Sequence, residues 1–121
     1  MKCINLMHNG DIRNQCPFWN VKVWDDCLVR GELIGPKGCY KKMQSFEMNL
    51  PKSLADKVFI LPDNIHELLA VASSPKTDDV IVYFKDDNYN ETGFIISNLP
   101  DSHPYRKVLE ETVEFIIKAQ I

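Results

Sequence analysis

Apolar and polar positions alternate in short runs over the first fifty residues, then give way to spacings of three and four. KCINLM (residues 2–7) reads as a short strand, and the HNG that follows contains Asn-Gly, the strongest two-residue hairpin signal. Residues 11–19, DIRNQCPFW, are irregular and interrupted by Pro17. From Asn20 the chain reads as successive strands. Val21 and Val23 alternate with Lys22 and Trp24, Asp25-Asp26 mark a turn or a bulge, and Leu28 to Ile34 forms the next strand. GPKG at 35–38 is a tight turn, in which Gly supplies positive φ and Pro presets its neighbour. The run from Cys39 to Leu50 sets Tyr40, Lys42, Gln44, Phe46 and Met48 on one face. That face is polar at its centre, which predicts a long, half-exposed strand.

The period then changes. PKSLADKVFIL carries a short helical turn near Ser53 and an apolar patch, VFIL. A clearer helix is expected after Asn64, which is placed to cap it with Glu67 three residues on. Ile65, Leu68, Leu69 and Ala72 fall on one helical face, and Ser74-Pro75 ends it. DVIVYFK is rich in β-branched and aromatic residues and reads as a strand, answered by TGFIIS after a short polar connection. The last helix carries the strongest pattern. Ser102 is its expected cap and Pro104 lies in its first turn, where a missing N–H does no harm. Tyr105, Val108, Leu109, Thr112, Val113, Ile116 and Ile117 form an apolar stripe, and Glu114 and Lys118 are ordered for a stabilising pair.

Strands in blocks rather than in strict alternation with helices define the α+β class. The expected fold is a mostly antiparallel sheet with a short central helix and an amphipathic C-terminal helix packed on one face. A chain of 121 residues predicts a single domain over 1–121.

Charge changes the picture more than composition does. Apolar residues make up 45% and charged residues 26%, which places the chain among folded globular domains. Net charge is −3, but residues 1–60 hold nine Lys and Arg against six Asp and Glu, and residues 61–121 hold five against eleven. Such asymmetry between halves points to a charged partner. No apolar run reaches the length of a membrane helix, and MKCINLMHNGD is too short in apolar residues for a secretory leader, so a cytosolic chain with no membrane partner is expected. In that compartment Cys3, Cys16, Cys27 and Cys39 are expected to be free thiols in a sheet core. Their gaps of 12, 10 and 11 intervening residues lack the close pairs of a structural zinc site.

The stretch YFKDDNYNETGFIIS (83–97) raises the one motif question. Asp86, Asn88 and Asn90 stand at the spacing that opens a calcium loop, but position 6 is Glu91 rather than Gly and position 12 is Ser97 rather than Glu. The stretch is instead a hairpin loop, in which Asp and Asn tolerate left-handed φ and bond their own backbone. No metal and no cofactor is expected. Asp86, Asp87 and Glu91 crowd this loop, Asp78 and Asp79 begin the strand leading into it, and Tyr89 lies at its centre. Like charges so close repel, while an acidic, aromatic-tipped hairpin suits a basic protein surface. These six residues, Asp78, Asp79, Asp86, Asp87, Tyr89 and Glu91, are the expected partner-binding set. His8, His66 and His103 are far apart in sequence, and no nucleophile elbow, zinc helix or phosphate-cradling loop is present. Basic residues (Lys37, Lys41, Lys42, Lys52, Lys57) are scattered and the pI is near 5.5, which argues against direct nucleic-acid binding.

In size, acidity, mixed α/β character and lack of a catalytic signature, the whole chain resembles the immunity proteins of bacterial toxin systems, such as contact-dependent growth inhibition. The resemblance implies a protein that binds a toxin's C-terminal domain and neutralises it, often by covering the active site of a nuclease. An adaptor subunit of a larger complex, including a phage or mobile-element accessory protein, is the alternative. A small enzyme with a Cys- or metal-based site in the N-terminal half is the third reading.

Overall fold

The computed structural model describes residues 2–8, 18–34, 43–69 and 79–120. Six strands form one antiparallel sheet: β1 (Cys3–His8), β2 (Phe18–Trp24), β3 (Leu28–Ile34), β4 (Met43–Asn49), β5 (Val80–Lys85) and β6 (Glu91–Ile95). Their spatial order is β4-β3-β2-β1-β5-β6. The first four strands therefore run as a meander away from β1, and the chain returns past the helices to pair β5 with β1's free side. Helices α1 (Lys52–Val58) and α2 (Ile65–Leu68) lie between β4 and β5, and α3 (Pro104–Lys118) ends the chain after a short 3₁₀ turn at Ile96–Asn98. The expected α+β class, antiparallel sheet and C-terminal helix packed on the sheet are all present.

Strand alternation sorts the side chains. Ile4 and Leu6 of β1, Trp19, Val21 and Val23 of β2, Val29 and Leu33 of β3, and Val82 and Phe84 of β5 point to one face. On that face they join Leu54 and Val58 of α1 and Tyr105, Leu109 and Ile116 of α3 in one core cluster. The register puts Gln44, Phe46 and Met48 of β4 on the same side, as the sequence pattern predicts. Phe46 and Met48 pack against the core, and the strand is half-exposed because it is an edge. Gly31 faces Val21 and Phe46 across both neighbours, and the Phe46 ring fills the space its side chain would take. Tyr40 and Lys42, the GPKG turn and the Asn-Gly signal lie outside the described residues.

Helix α3 buries the expected stripe, with Leu109 and Thr112 at 0% exposure. Its cap differs from expectation. Pro104 is the first helical residue, which makes His103 the cap rather than Ser102. The physical reason is local: Pro restricts the residue before it to extended backbone, and His103 sits at φ −71°, ψ 130°. The Tyr105 N–H donates to His103 Nδ1 at 3.1 Å. Aspartate accepts the same bond and adds a negative charge at the helix N-terminus. His103→Asp should therefore stabilise the fold by about 0.5–1 kcal/mol, read from thermal melts; a lower melting temperature would refute this account of the cap.

The central helical segment also departs from expectation. Asn64 makes no side-chain cap bond, and α2 closes a single turn at Ile65–Leu68. The longer helix is α1, around the position read as one turn near Ser53. The expected stop at Ser74-Pro75 lies outside the described residues.

Helices α1 and α3 are joined by one buried bond. The Tyr105 hydroxyl donates to the Val58 carbonyl at 2.7 Å, satisfying an oxygen that the end of α1 leaves without a helical partner. Burial pushes the phenol well above its ordinary pKa and keeps it a donor. Tyr105→Phe should cost about 1–2 kcal/mol in chemical denaturation, since it leaves that carbonyl buried and unpaired. An unchanged midpoint would mean that water replaces the hydroxyl.

Candidate partner-binding surface

All three helices stand on the core face. Toward the β2–β3 and β5–β6 turns the opposite face of the sheet is open and presents a different set of side chains. One cross-strand row reads Glu47, Arg30, Lys22, Asn5, Tyr83 and Gly93, and the next holds Trp24, Cys3, Lys85 and Glu91. Two shallow depressions of about 660 and 510 Å³ lie on this face and share Lys22 and Trp24 as the ridge between them. Tyr83 leans over Gly93, whose missing side chain leaves room: its ring carbons come within 3.1 Å of where a Cβ would stand.

The strand order decides which carboxylates meet. Strand β1 starts where β2 ends and where β5 ends, with Cys3 opposite both Trp24 and Lys85. The β2–β3 turn with Asp25 and Asp26 and the β5–β6 turn with Asp86 and Asp87 therefore flank the start of β1, about 10 Å apart at ordinary strand spacing. Asp25 is tied to the start of β1: its Oδ2 accepts from the Lys2 N–H at 3.1 Å, and its own N–H donates to the Lys2 carbonyl at 3.2 Å. Asp26 Oδ1 accepts from the Leu28 N–H at 3.1 Å, which lets Cys27 hold φ 75°. The sequence marks Asp25 and Asp26 only as a turn or a bulge, and the structure makes them a turn. Their partnership with the second turn is a product of non-local pairing.

Of the expected binding set, Asp86, Asp87, Tyr89 and Glu91 come together at this end. Asp79 does not. It lies at the other end of β5, about 20 Å away along the strand, where Oδ1 accepts from Ser97 Oγ at 3.3 Å. Asp78 lies outside the described residues. Asp86 is a loop-builder. Its Oδ1 accepts from the Asn88 and Asn90 N–H groups, each at 2.9 Å, and its main chain exchanges bonds with Tyr89 and Asn90. The expected side-chain-to-backbone bonding is thus present, but left-handed φ falls on Tyr89 (63°) rather than on an Asp or Asn. These Asp86-centred bonds close around the loop from both sides and leave residue 89 to make the reversal. The Tyr89 ring is 81% exposed and carries the Lys85 ammonium 5.3 Å over its centre. Its position is peripheral, while Trp24, half-buried at the end of β2, lines both depressions. The alternation of Val21, Lys22, Val23 and Trp24 already implies that Trp24 faces away from the core.

The other acidic residues of the second half stand elsewhere. Arg106 is held between Asp101 at 2.6 Å and Glu110 at 3.0 Å and also donates to the Leu99 carbonyl at 2.9 Å. Glu114 pairs with Lys118 at 2.6 Å; that hydrogen bond and the ammonium charge hold its carboxyl below the usual range. These groups line α3, on the far side of the sheet. The half-by-half charge asymmetry is therefore not one acidic surface, because strand pairing and helix packing divide it.

Cys3 faces the open side rather than the core, and Cys27 packs against the core from its turn. Burial, only partly offset by Lys22 and Lys85, pushes the Cys3 thiol above its ordinary pKa, opposite to the shift that makes a thiol nucleophilic. Cys16 and Cys39 lie outside the described residues. Among the described residues no three His, Cys, Asp or Glu are grouped to hold a metal ion, and no helix is long and apolar enough to cross a membrane. Comparison with protein-family models and with curated proteins returns no match.

Proposed function

We propose that this chain is a cytosolic binding protein that neutralises a basic protein, an immunity protein covering a toxin domain of nuclease type. The observation that supports this reading is the meeting of two acidic turns, Asp25–Asp26 and Asp86–Asp87, beside an open sheet face that carries Trp24. Nuclease domains are basic because their substrate is a polyanion. An acidic surface competes for the same groups and gains association rate by steering. Affinity then comes from a few central aromatic anchors, surrounded by polar contacts that exclude water.

The test is biological and direct. A basic nuclease-type toxin domain encoded immediately upstream should kill cells when expressed alone and spare them when this chain is co-expressed. The two should also copurify as a complex that lacks nuclease activity. Copurification with a larger assembly, without rescue, would favour an adaptor. Loss of an activity of the isolated chain on thiol alkylation or chelation would favour an enzyme.

A further inference from the structure

The open face carries two groups that its own side chains do not satisfy, Asn5 Oδ1 and Asn20 Oδ1. Asn20 stands four residues before Trp24 on β2, about 13 Å along the strand, so Asn5 is the one within reach of a group stacked on Trp24. Asn5 lies beside Trp24 in the 510 Å³ depression, and its Oδ1 is shut off from solvent without a hydrogen-bond partner. Its cross-strand neighbours Lys22 and Tyr83 both own donors. Neither donates to this oxygen, and the Tyr83 ring is turned over Gly93. An acceptor withdrawn from water and left unpaired favours any ligand that brings a donor.

The rest of the face narrows the choice of donor. Asp25, Asp26, Asp86, Asp87, Glu32, Glu47 and Glu91 outnumber Lys2, Lys22, Arg30 and Lys85, so the incoming group is a cation. Arg30 is already paired with Glu47 at 3.0 Å, and Lys85 lies over Tyr89. Of the aromatic residues left near Asn5, Tyr83 has its ring against Gly93, and Trp24 is the larger ring and is shared by both depressions. A guanidinium is planar, stacks on an indole, and presents several donors with no acceptor; an ammonium offers neither the plane nor the fork.

We propose that this face receives an arginine of the partner, stacked on Trp24 and donating to Asn5 Oδ1, with the two acidic turns holding the basic surface around it. This rests on the reading of the chain as a binder of basic proteins and names the anchor that such a partner supplies. Binding moves the Lys22 side chain aside and gives the buried oxygen its donor. Tyr89 and Lys85 form part of the rim.

The test uses the whole ¹⁵N-labelled chain at low salt, titrated with acetyl-Gly-Arg-Gly-Arg-Gly-amide and with its lysine and citrulline counterparts. The Trp24 indole N–H and the Asn5 side-chain amide should shift together, and the Trp19 indole, 4% exposed on the core face, should stay still. The lysine peptide should need about fivefold more for the same shift, and the neutral citrulline peptide should produce none. Asn5→Leu should erase the preference for arginine over lysine. Should that variant melt early, Trp24→Leu in the same titration decides. Equal response to lysine and arginine, or shifts confined to α3, would overturn the proposal. So would a hexauridylate RNA that moves Trp24 at lower concentration than the arginine peptide. If a toxin domain binds and leaves the Trp24 indole unmoved, the anchor is wrong and the binding role stands; if no basic protein binds, both fall.

Discussion

Reversing the charges of Asp87 and Glu91 together, to lysine, should lower the association rate with a basic partner about tenfold at low salt and flatten its dependence on ionic strength. Both side chains are exposed at the acidic end of the open face, where solvent keeps any contact they make weak and their charge acts mainly at a distance. Dissociation should change far less, because groups at a rim influence encounter more than residence. Asp86 is deliberately spared. Its carboxylate accepts the Asn88 and Asn90 N–H groups, and replacing it by lysine would open the loop and confuse steering with folding. Asp86→Lys thus serves as a comparison, with an expected loss of stability of about 1–2 kcal/mol. A control reversal of Glu110 and Glu114 on α3, across the sheet from the proposed surface, should leave the kinetics close to those of the parent chain. Stopped-flow association at low and high salt separates the cases. If the α3 pair slows binding as much as the turn pair does, the partner sits on the helical side and the surface has been misassigned.

The largest effect on stability is expected at Gly31. A Cβ there would stand 2.6 Å from Phe46 Cζ and 2.9 Å from Val21 Cγ2. Leaving glycine normally favours a strand, because a β-branched residue restricts the unfolded chain and fits the pleat. Here sterics oppose that gain. Phe46 belongs to an edge strand and can swing outward, but Val21 is 1% exposed and enclosed by the core. Gly31→Val should therefore cost about 3 kcal/mol, which at this chain length lowers the melting temperature by about 10 °C. Gly31→Ala should cost less, about 1–2 kcal/mol, since its one methyl meets both the Phe46 ring and Val21 Cγ2 but adds no γ-branch. The double variant Gly31→Val with Phe46→Leu should recover part of the loss, because the two share one space. A melting temperature for Gly31→Val within about 2 °C of the parent would show that β4 yields freely and that the ring over Gly31 contributes little.

Much of the molecule was legible in local sequence. Alternation of Val21 and Val23 against Lys22 and Trp24 fixes which faces those residues take, and the structure keeps that division. The stripe from Tyr105 to Ile117 is the buried stripe of α3, and the Glu114–Lys118 pair forms as its spacing implies. Misreadings arose where two local rules compete. Ser102 is the better capping residue, but Pro104 sets the helix start and leaves His103 in the cap position. Asn64 and Glu67 match a capping pattern, yet the segment closes only one turn, while Leu54, Ala55 and Val58 bury α1 against the core. Helix length there follows tertiary packing more than propensity.

The candidate surface was legible only in part, for a different reason. Sequence marks the Asp86–Glu91 stretch as a crowded acidic hairpin, and its composition alone makes it a turn. Nothing local connects it with Asp25 and Asp26, sixty residues earlier, or separates it from Asp79, seven residues before. That connection exists because β5 pairs with β1 rather than extending the meander beyond β4, a choice made by long-range burial of Val82 and Phe84 beside Ile4 and Leu6. Alternation determines which side of a strand a residue occupies; only the pairing of strands determines which distant residues share that side, because the hydrogen-bonded ladder brings together positions that covalent distance keeps apart.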